Sequence, residues 1–182
     1  MRIPYSSNPP VPSTEEEAEI VKRIEARRAP RPLQPLDLAL LHSPAVADGW
    51  NSFLGAIRTR TSLGDDIREL AISRVAVVNK AWYEWAHHAP LAVKGGVSED
   101  ALEIVKKDGP LGGSRLGLHL NERQWAAVVY TDEMTRSVEV SEATFTTLKE
   151  LFSEKEVVEL TATVRVSLES ALYIVQNSEE SN

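Results

Sequence analysis

Residues 69–88 read ELAISRVAVVNKAWYEWAHH, and how this stretch divides decides the fold. Ile67, Leu70, Ala71, Val75 and Val78 recur at helical spacing behind an opening at Gly64 and Asp65. Asn79 then marks the end of that helix or the cap of the next one. If the stretch after Asn79 is helical, Ala81, Glu84 and His88 lie at i, i+3 and i+7, which makes Glu84 and His88 i, i+4 neighbours on one face. Nowhere does the chain alternate with period two for long enough to form a sheet. The expected class is therefore all-α, a helical bundle.

Outward from this centre, the start and stop signals repeat. Upstream, Ser43 with Pro44 opens a helix whose apolar face is expected to be Val46, Trp50, Phe53, Leu54 and Ile57. Ser13 and Thr14 stand at capping-box spacing from Glu16 and Glu17, so a helix should run to about Arg28, where Pro30, Pro32 and Pro35 end it. Pro4, Pro9, Pro10 and Pro12 make residues 1–12 an extended arm, with one helical domain expected over 13–182. Downstream, Gly95 and Gly96 terminate the helix carrying His88, and Ser98 caps a short one through Leu102 and Val105 to Gly109. Pro110 to Leu120, with Gly112, Gly113 and Gly117, reads as a loop; no strand precedes these glycines, so they do not make a dinucleotide fingerprint. Asn121 caps a helix with Trp125, Val128, Val129 and Met134, and Ser141 caps one with Phe145, Leu148 and Leu151. Ser153 with Glu156 opens a last helix through Val157, Leu160, Val164, Leu168 and Leu172.

Composition narrows the chemistry. The 182 residues are 42% apolar and 26% charged, enough for a core without staples. There is no cysteine, which removes disulfides, thiolate metal sites, cysteine nucleophiles and redox dithiols. With 20 Lys and Arg against 27 Asp and Glu, a net charge of −7, and no basic run, a nucleic-acid surface is not expected. The N-terminus is polar and proline-rich and no apolar run approaches a membrane span, so a soluble, cytoplasmic protein with no membrane partner is expected.

Of four histidines, His42, His87, His88 and His119, the adjacent His87 and His88 fall where carboxylates and aromatics concentrate. Imidazole titrates nearest neutrality, and a neighbouring carboxylate can fix its tautomer and tune its proton. Tyr83, Trp82 and Trp85 flank the Glu84 and His88 pair and would wall it from water. The same spacing also describes an ordinary helix-surface pair worth about 0.3 kcal/mol, with the aromatics as core. His87 points about 100° away on an ideal helix. One Glu with adjacent histidines is not a zinc-helix motif, and no metal or cofactor is expected.

Glu69, position 81 twelve residues on, position 84 three further and His88 four further reproduce the Glu, Cys, Cys, His spacing of the alkylhydroperoxidase D-like superfamily. Here positions 81 and 84 are Ala81 and Glu84, so thiol peroxidase chemistry is excluded. The phrase WYEWAHHAPLAVKGGVSEDALEIV at 82–105 resembles the carboxymuconolactone decarboxylase branch, with its YEW-x-x-H helix, glycine turn and Ser-capped helix. LNERQWAAVVYTDEMTRSVEVSEATFTTLKELFSEKEVVELTATV at 120–164 resembles that family's C-terminal part. Similarity covers most of Leu36 to Leu172. Ser167 and Leu168 stand where members often carry Tyr-Asn, a departure that bears on substrate.

The resemblance implies an all-α fold, a homotrimer or homohexamer, and an active site near Glu69 and His88 close to a subunit interface. It implies a cofactor-independent lyase acting on a small carboxylate or carboxylated lactone. In that reading His88 is proton donor or oxyanion stabiliser, Glu84 its orienter or a general base, and Glu69 a second acid or base behind them. Tyr83, Trp85 and His87 line the substrate, and Arg74 or Arg68 binds its carboxylate. The alternatives are a cofactor-free isomerase, cyclase or decarboxylase of a polyketide-like substrate, and a non-catalytic helical oligomer.

Overall fold

The structure is a computed structural model that describes residues 4–111 and 119–177. Among these residues there are nine helices and no strand, so the protein is all-α. Internal contacts group the chain into two compact units, one holding the described residues up to Arg60 and the other Thr61–Val175. The division falls inside the stretch that the sequence reading treats as one domain.

In the first unit, α1 (Glu15–Arg28) starts where Thr14 Oγ1 accepts from the Glu17 amide and Glu17 Oε2 accepts from the Ser13 amide, a reciprocal cap. Its Ile20 and Ile24 are buried with Leu41 and Ala47. A short helix unforeseen from the sequence follows, α2 (Pro35–Leu40). Pro35 acts here as a starter, since at the first helical position its missing N–H leaves no bond unmade, and Asp37 caps the Gln34 amide at 2.7 Å. Residues 4–12 form no regular element; Ser6 Oγ donates to the Leu38 carbonyl at 2.6 Å and His42 Nε2 to that of Pro4 at 2.6 Å.

The third helix, α3 (Pro44–Thr59), is turned relative to expectation. Its buried stripe is Ala47, Asn51, Leu54 and Ile57, while Val46 and Phe53 are exposed. The apolar residues spread over two adjacent stripes, and the side chain of Arg27 on α1, which hydrogen-bonds Asn51, selects the one containing that amide.

In the second unit, α4 (Asp65–Val78) is central. Every residue from Glu69 to Val77 is buried, so the helix is covered all round and the expected stripe is only one of its faces. A tight turn through Asn79 and Lys80, the latter at φ 56°, returns the chain as α5 (Trp82–Lys94). Gly95 ends α5 beside the start of α4, where a Cβ would stand 2.9 Å from the Asp66 amide nitrogen. Then come α6 (Glu99–Val105), α7 (Glu122–Ser137), α8 (Glu142–Leu151) and α9 (Glu154–Asn177). The side chains of Ser98, Asn121 and Ser141 cap α6, α7 and α8 as expected, although α6 stops short of Gly109. One core cluster joins α4, α7, α8 and α9 around Ala127, Leu148, Leu160 and Val164; another joins α4, α5, α6 and α7 around Leu70, Ala92, Val105 and Val128. The glycines 112, 113 and 117 of the expected loop lie outside the described residues.

Candidate active site

The α4–α5 turn fixes an antiparallel register. The Ala81 amide donates to the Ala76 carbonyl at 2.8 Å; about two turns away, Glu69 and His88 meet side chain to side chain. Both pairs sum to the same register, so each step along α4 is matched by an opposite step along α5. Glu69, nineteen residues from His88, becomes its partner in this way. Glu84, one turn before His88 on α5, reaches the same ring from the other side.

His88 is therefore held between two carboxylates. Its Nδ1 donates to Glu69 Oε2 at 2.6 Å, and its Nε2 lies 3.3 Å from Glu84 Oε2. His88 and Glu69 are both 4% exposed, whereas the Glu84 side chain retains 14%, so the trio opens towards solvent at Glu84. Proton accounting follows from these distances. With a proton on Nδ1, a bare Nε2 would face a bare carboxylate oxygen. The arrangement is attractive only with a proton between them, on Nε2 as imidazolium or on Glu84 as the acid. Arg68 Nε donates to the other Glu69 oxygen at 3.2 Å, and Arg68 Nη2 pairs with Asp65 at 2.6 Å. The cluster can hold one mobile proton at its open end and anchor the ring at its closed end.

The other expected residues separate into two groups. Trp85 is half-buried and packs against both core clusters, with the Lys106 ammonium 5.9 Å from its ring centroid. Tyr83 and His87 are exposed, and their rings stack with centroids 4.3 Å apart while His87 Nδ1 donates to the Tyr83 carbonyl.

Arg74 is a correction. It is fully buried, and its five N–H donors go to Asp132, to the Val105 and Lys107 carbonyls and to that of Gly109, at 2.5–2.8 Å. No donor remains for a substrate carboxylate. Five residues along α4 from Glu69 is about 500° of rotation, so Arg74 points well away from the face that meets α5. Arg68, the other candidate for that carboxylate, is engaged with Asp65 and Glu69.

Ser73 went unnoticed in the sequence. It lies one turn beyond Glu69 on the same face, opposite Glu84 in the register; it is wholly buried and its hydroxyl has no hydrogen-bond partner. Only the pairing of α4 with α5 could have pointed to it. Among the described residues no group of three or more His, Asp or Glu side chains is arranged to hold a metal ion. Nor is any helix among them long and apolar enough to cross a membrane.

Residues 44–114 match the model of the carboxymuconolactone decarboxylase family. That span runs from the start of α3 past α6 and includes Glu69, Glu84 and His88. Among solved structures, the fold resembles a crystal structure of the debrominase Bmp8, carrying a cysteine-to-alanine substitution, in complex with 2,3,4-tribromopyrrole. The TM-score is 0.65 with 16% identity over 91% of this chain and 87% of that one, a likeness of fold. No curated protein matches the chain.

Proposed function

We propose that this chain, whose residues 44–114 match the carboxymuconolactone decarboxylase family, is a cofactor-independent carbon–carbon lyase that removes carbon dioxide from a carboxylated lactone. The observation that carries the reading is the convergence of Glu69, His88 and Glu84. A non-catalytic helical oligomer gives no reason to bury an imidazole between two carboxylates at such a cost in desolvation.

The chemistry asks little else of the protein. The bond from the ring carbon to the carboxylate breaks, its electron pair passes into the conjugated lactone carbonyl, and carbon dioxide leaves. The resulting enolate then takes one proton at carbon. The distances divide the work. Glu69, buried and close to Nδ1, orients the ring; the proton shared by Nε2 and Glu84 at the open end is the one delivered. Uptake of a solvent proton by Glu84 resets the site. With Arg74 committed elsewhere, Lys106 beside Trp85 is assigned to the substrate carboxylate, and the Ser73 hydroxyl to a substrate oxygen seated between α4 and α5.

A second reading, an isomerase or cyclase of a polyketide-like substrate, is favoured by Ser167 and Leu168 in the last helix, where Ser167 is buried. Carbon dioxide release from a panel of carboxylated γ-lactones separates the two. We expect release by the wild type and none by His88→Gln with an unchanged far-UV helix signal. Full turnover by His88→Gln removes the mechanism; conversion without carbon dioxide moves the assignment to the second reading.

A further inference from the structure

Helix α4 carries two arginines, and they serve different ends. Arg74 serves the fold; Arg68 stands beside Glu69 at the closed end of the trio, and the proposed steps do not use it. Its guanidinium bridges two carboxylates of the same helix. Nη2 pairs with Asp65, one turn earlier, at 2.6 Å, and Nε donates to Glu69 Oε1 at 3.2 Å. The other oxygen of Glu69, Oε2, accepts from His88 Nδ1 at 2.6 Å. The carboxylate is thus gripped at both oxygens, by the arginine on one and by the imidazole on the other.

Burial says which partner Arg68 serves. The Asp65 side chain is 71% exposed, that of Arg68 13% and that of Glu69 5%. An i, i+3 pair made for its own sake stays on the helix surface, where it is worth little and both groups keep their water. Arg68 instead gives up most of its water to lie against Glu69, and the exposed Asp65 holds it there from behind. A guanidinium suits this task because its planar fork aims donors at two acceptors at once, which an ammonium does not. What the grip controls is direction. A carboxylate held only by the ring can turn about its last bond and let the ring tilt with it. Fixed at Oε1, Glu69 keeps Oε2 aimed at Nδ1, and the ring then presents Nε2 to Glu84, 3.3 Å away.

We propose that Arg68 is a positioning residue for the reaction assigned to the trio: braced by Asp65, it fixes Glu69 at Oε1 and, through Glu69, sets the tilt of the His88 ring so that Nε2 faces Glu84. Its part in turnover rests on the lyase reading above; its hold on the ring does not, and the two are measured separately.

The first measurement needs no substrate. In the full chain with isotope-labelled histidine, the buried Nδ1 proton of His88 is expected as a far-downfield resonance in slow exchange with water, identified by its loss in His88→Gln. In Arg68→Gln that resonance is expected to move upfield and to exchange faster, with the far-UV helix signal unchanged. Arg68→Lys, which keeps the charge without the fork, is expected to lie between. The second measurement is carbon dioxide release. There kcat falls about tenfold in Arg68→Gln and about threefold in Arg68→Lys, with KM within about twofold of the wild type. A resonance unchanged in Arg68→Gln overturns the proposal; should that variant lose its helix signal, a resonance unchanged in Arg68→Lys overturns it. So does a rise in KM with kcat unchanged, which makes Arg68 a substrate-binding group instead. Absence of carbon dioxide release by the wild type removes the lyase reading and leaves the resonance to decide the role of Arg68.

Discussion

At the residue scale, the two carboxylates on one imidazole differ in distance and exposure, and the proposed mechanism gives them different roles on that ground. Glu69→Gln removes the anchor charge while keeping the shape, so kcat is expected to fall about 100-fold or more across the whole pH range. Glu84→Gln removes the proposed proton exchanger, so one limb of the kcat profile should flatten. A Glu84→Gln enzyme with the wild-type profile would return that role to Glu69. Arg74 makes the opposite case, a charge buried for structure. Arg74→Met takes the side-chain donor from the Val105 and Lys107 carbonyls and leaves Gly109 with Arg136, and Asp132 with Arg136 and the Leu111 amide. The expected loss is about 3 kcal/mol in urea unfolding, the scale for breaking a buried pair; a loss under about 1 kcal/mol would mean the carbonyls find water. Glu84 beside His88 is visible in the sequence because i, i+4 neighbours need only a helix. Glu69 could be reached there only through a family spacing, and the commitment of Arg74 was hidden because its partners lie thirty to sixty residues away along the chain.

At the scale of elements, the caps were the most legible part of the chain. Thr14, Ser98, Asn121 and Ser141 act within one turn of themselves, so local sequence suffices. Ser153 and Glu156 add a tertiary part. Glu156 Oε2 accepts from the Ser153 amide and hydroxyl at 2.9 Å, while Oε1 accepts from Arg123 of α7 at 2.6 Å. The Ser153 amide, then Arg123, hold the Glu156 carboxyl below its ordinary 4.5, with burial opposing. A carboxyl depressed on folding contributes stability that is complete above 4.5 and disappears as pH falls through the lower folded value. Glu156→Gln should therefore be less stable than the wild type at pH 6, with the gap closing on acidification towards pH 3. A gap independent of pH would assign its effect to packing. Val138, the residue that ends α7, sits at φ 62° although β-branched, and it is exposed. Val138→Gly is expected to raise stability by about 1 kcal/mol, and no gain would show that the turn relaxes.

At the scale of the whole molecule, the outer face of α5 is the feature to explain. Trp82, Tyr83, Leu91 and Val93 are between 38% and 52% exposed on the helix that carries Glu84 and His88. Such an aromatic face is costly in water, and covering it by a second copy would also shield the open end of the trio. Assembly as a trimer or hexamer is proposed on this ground. Light scattering should then give about 60 or 120 kDa against 20.1 kDa for one chain. Trp82→Glu is expected to shift the mass downward and to lower turnover. A wild-type monomer at micromolar concentration would remove the assembly and leave the face unexplained.

The sequence by itself determined the helical class, most helix starts, the loss of thiol chemistry and the pairing of Glu84 with His88. All of these depend on composition or on neighbours within one or two turns. Only the tertiary structure decided which stripe of α3 faces inward, that Pro35 starts a helix, that Glu69 is the tight partner of His88, and that Arg74 serves the fold. These outcomes rest on the register between elements far apart in the chain, which is set by packing and by where buried donors find acceptors.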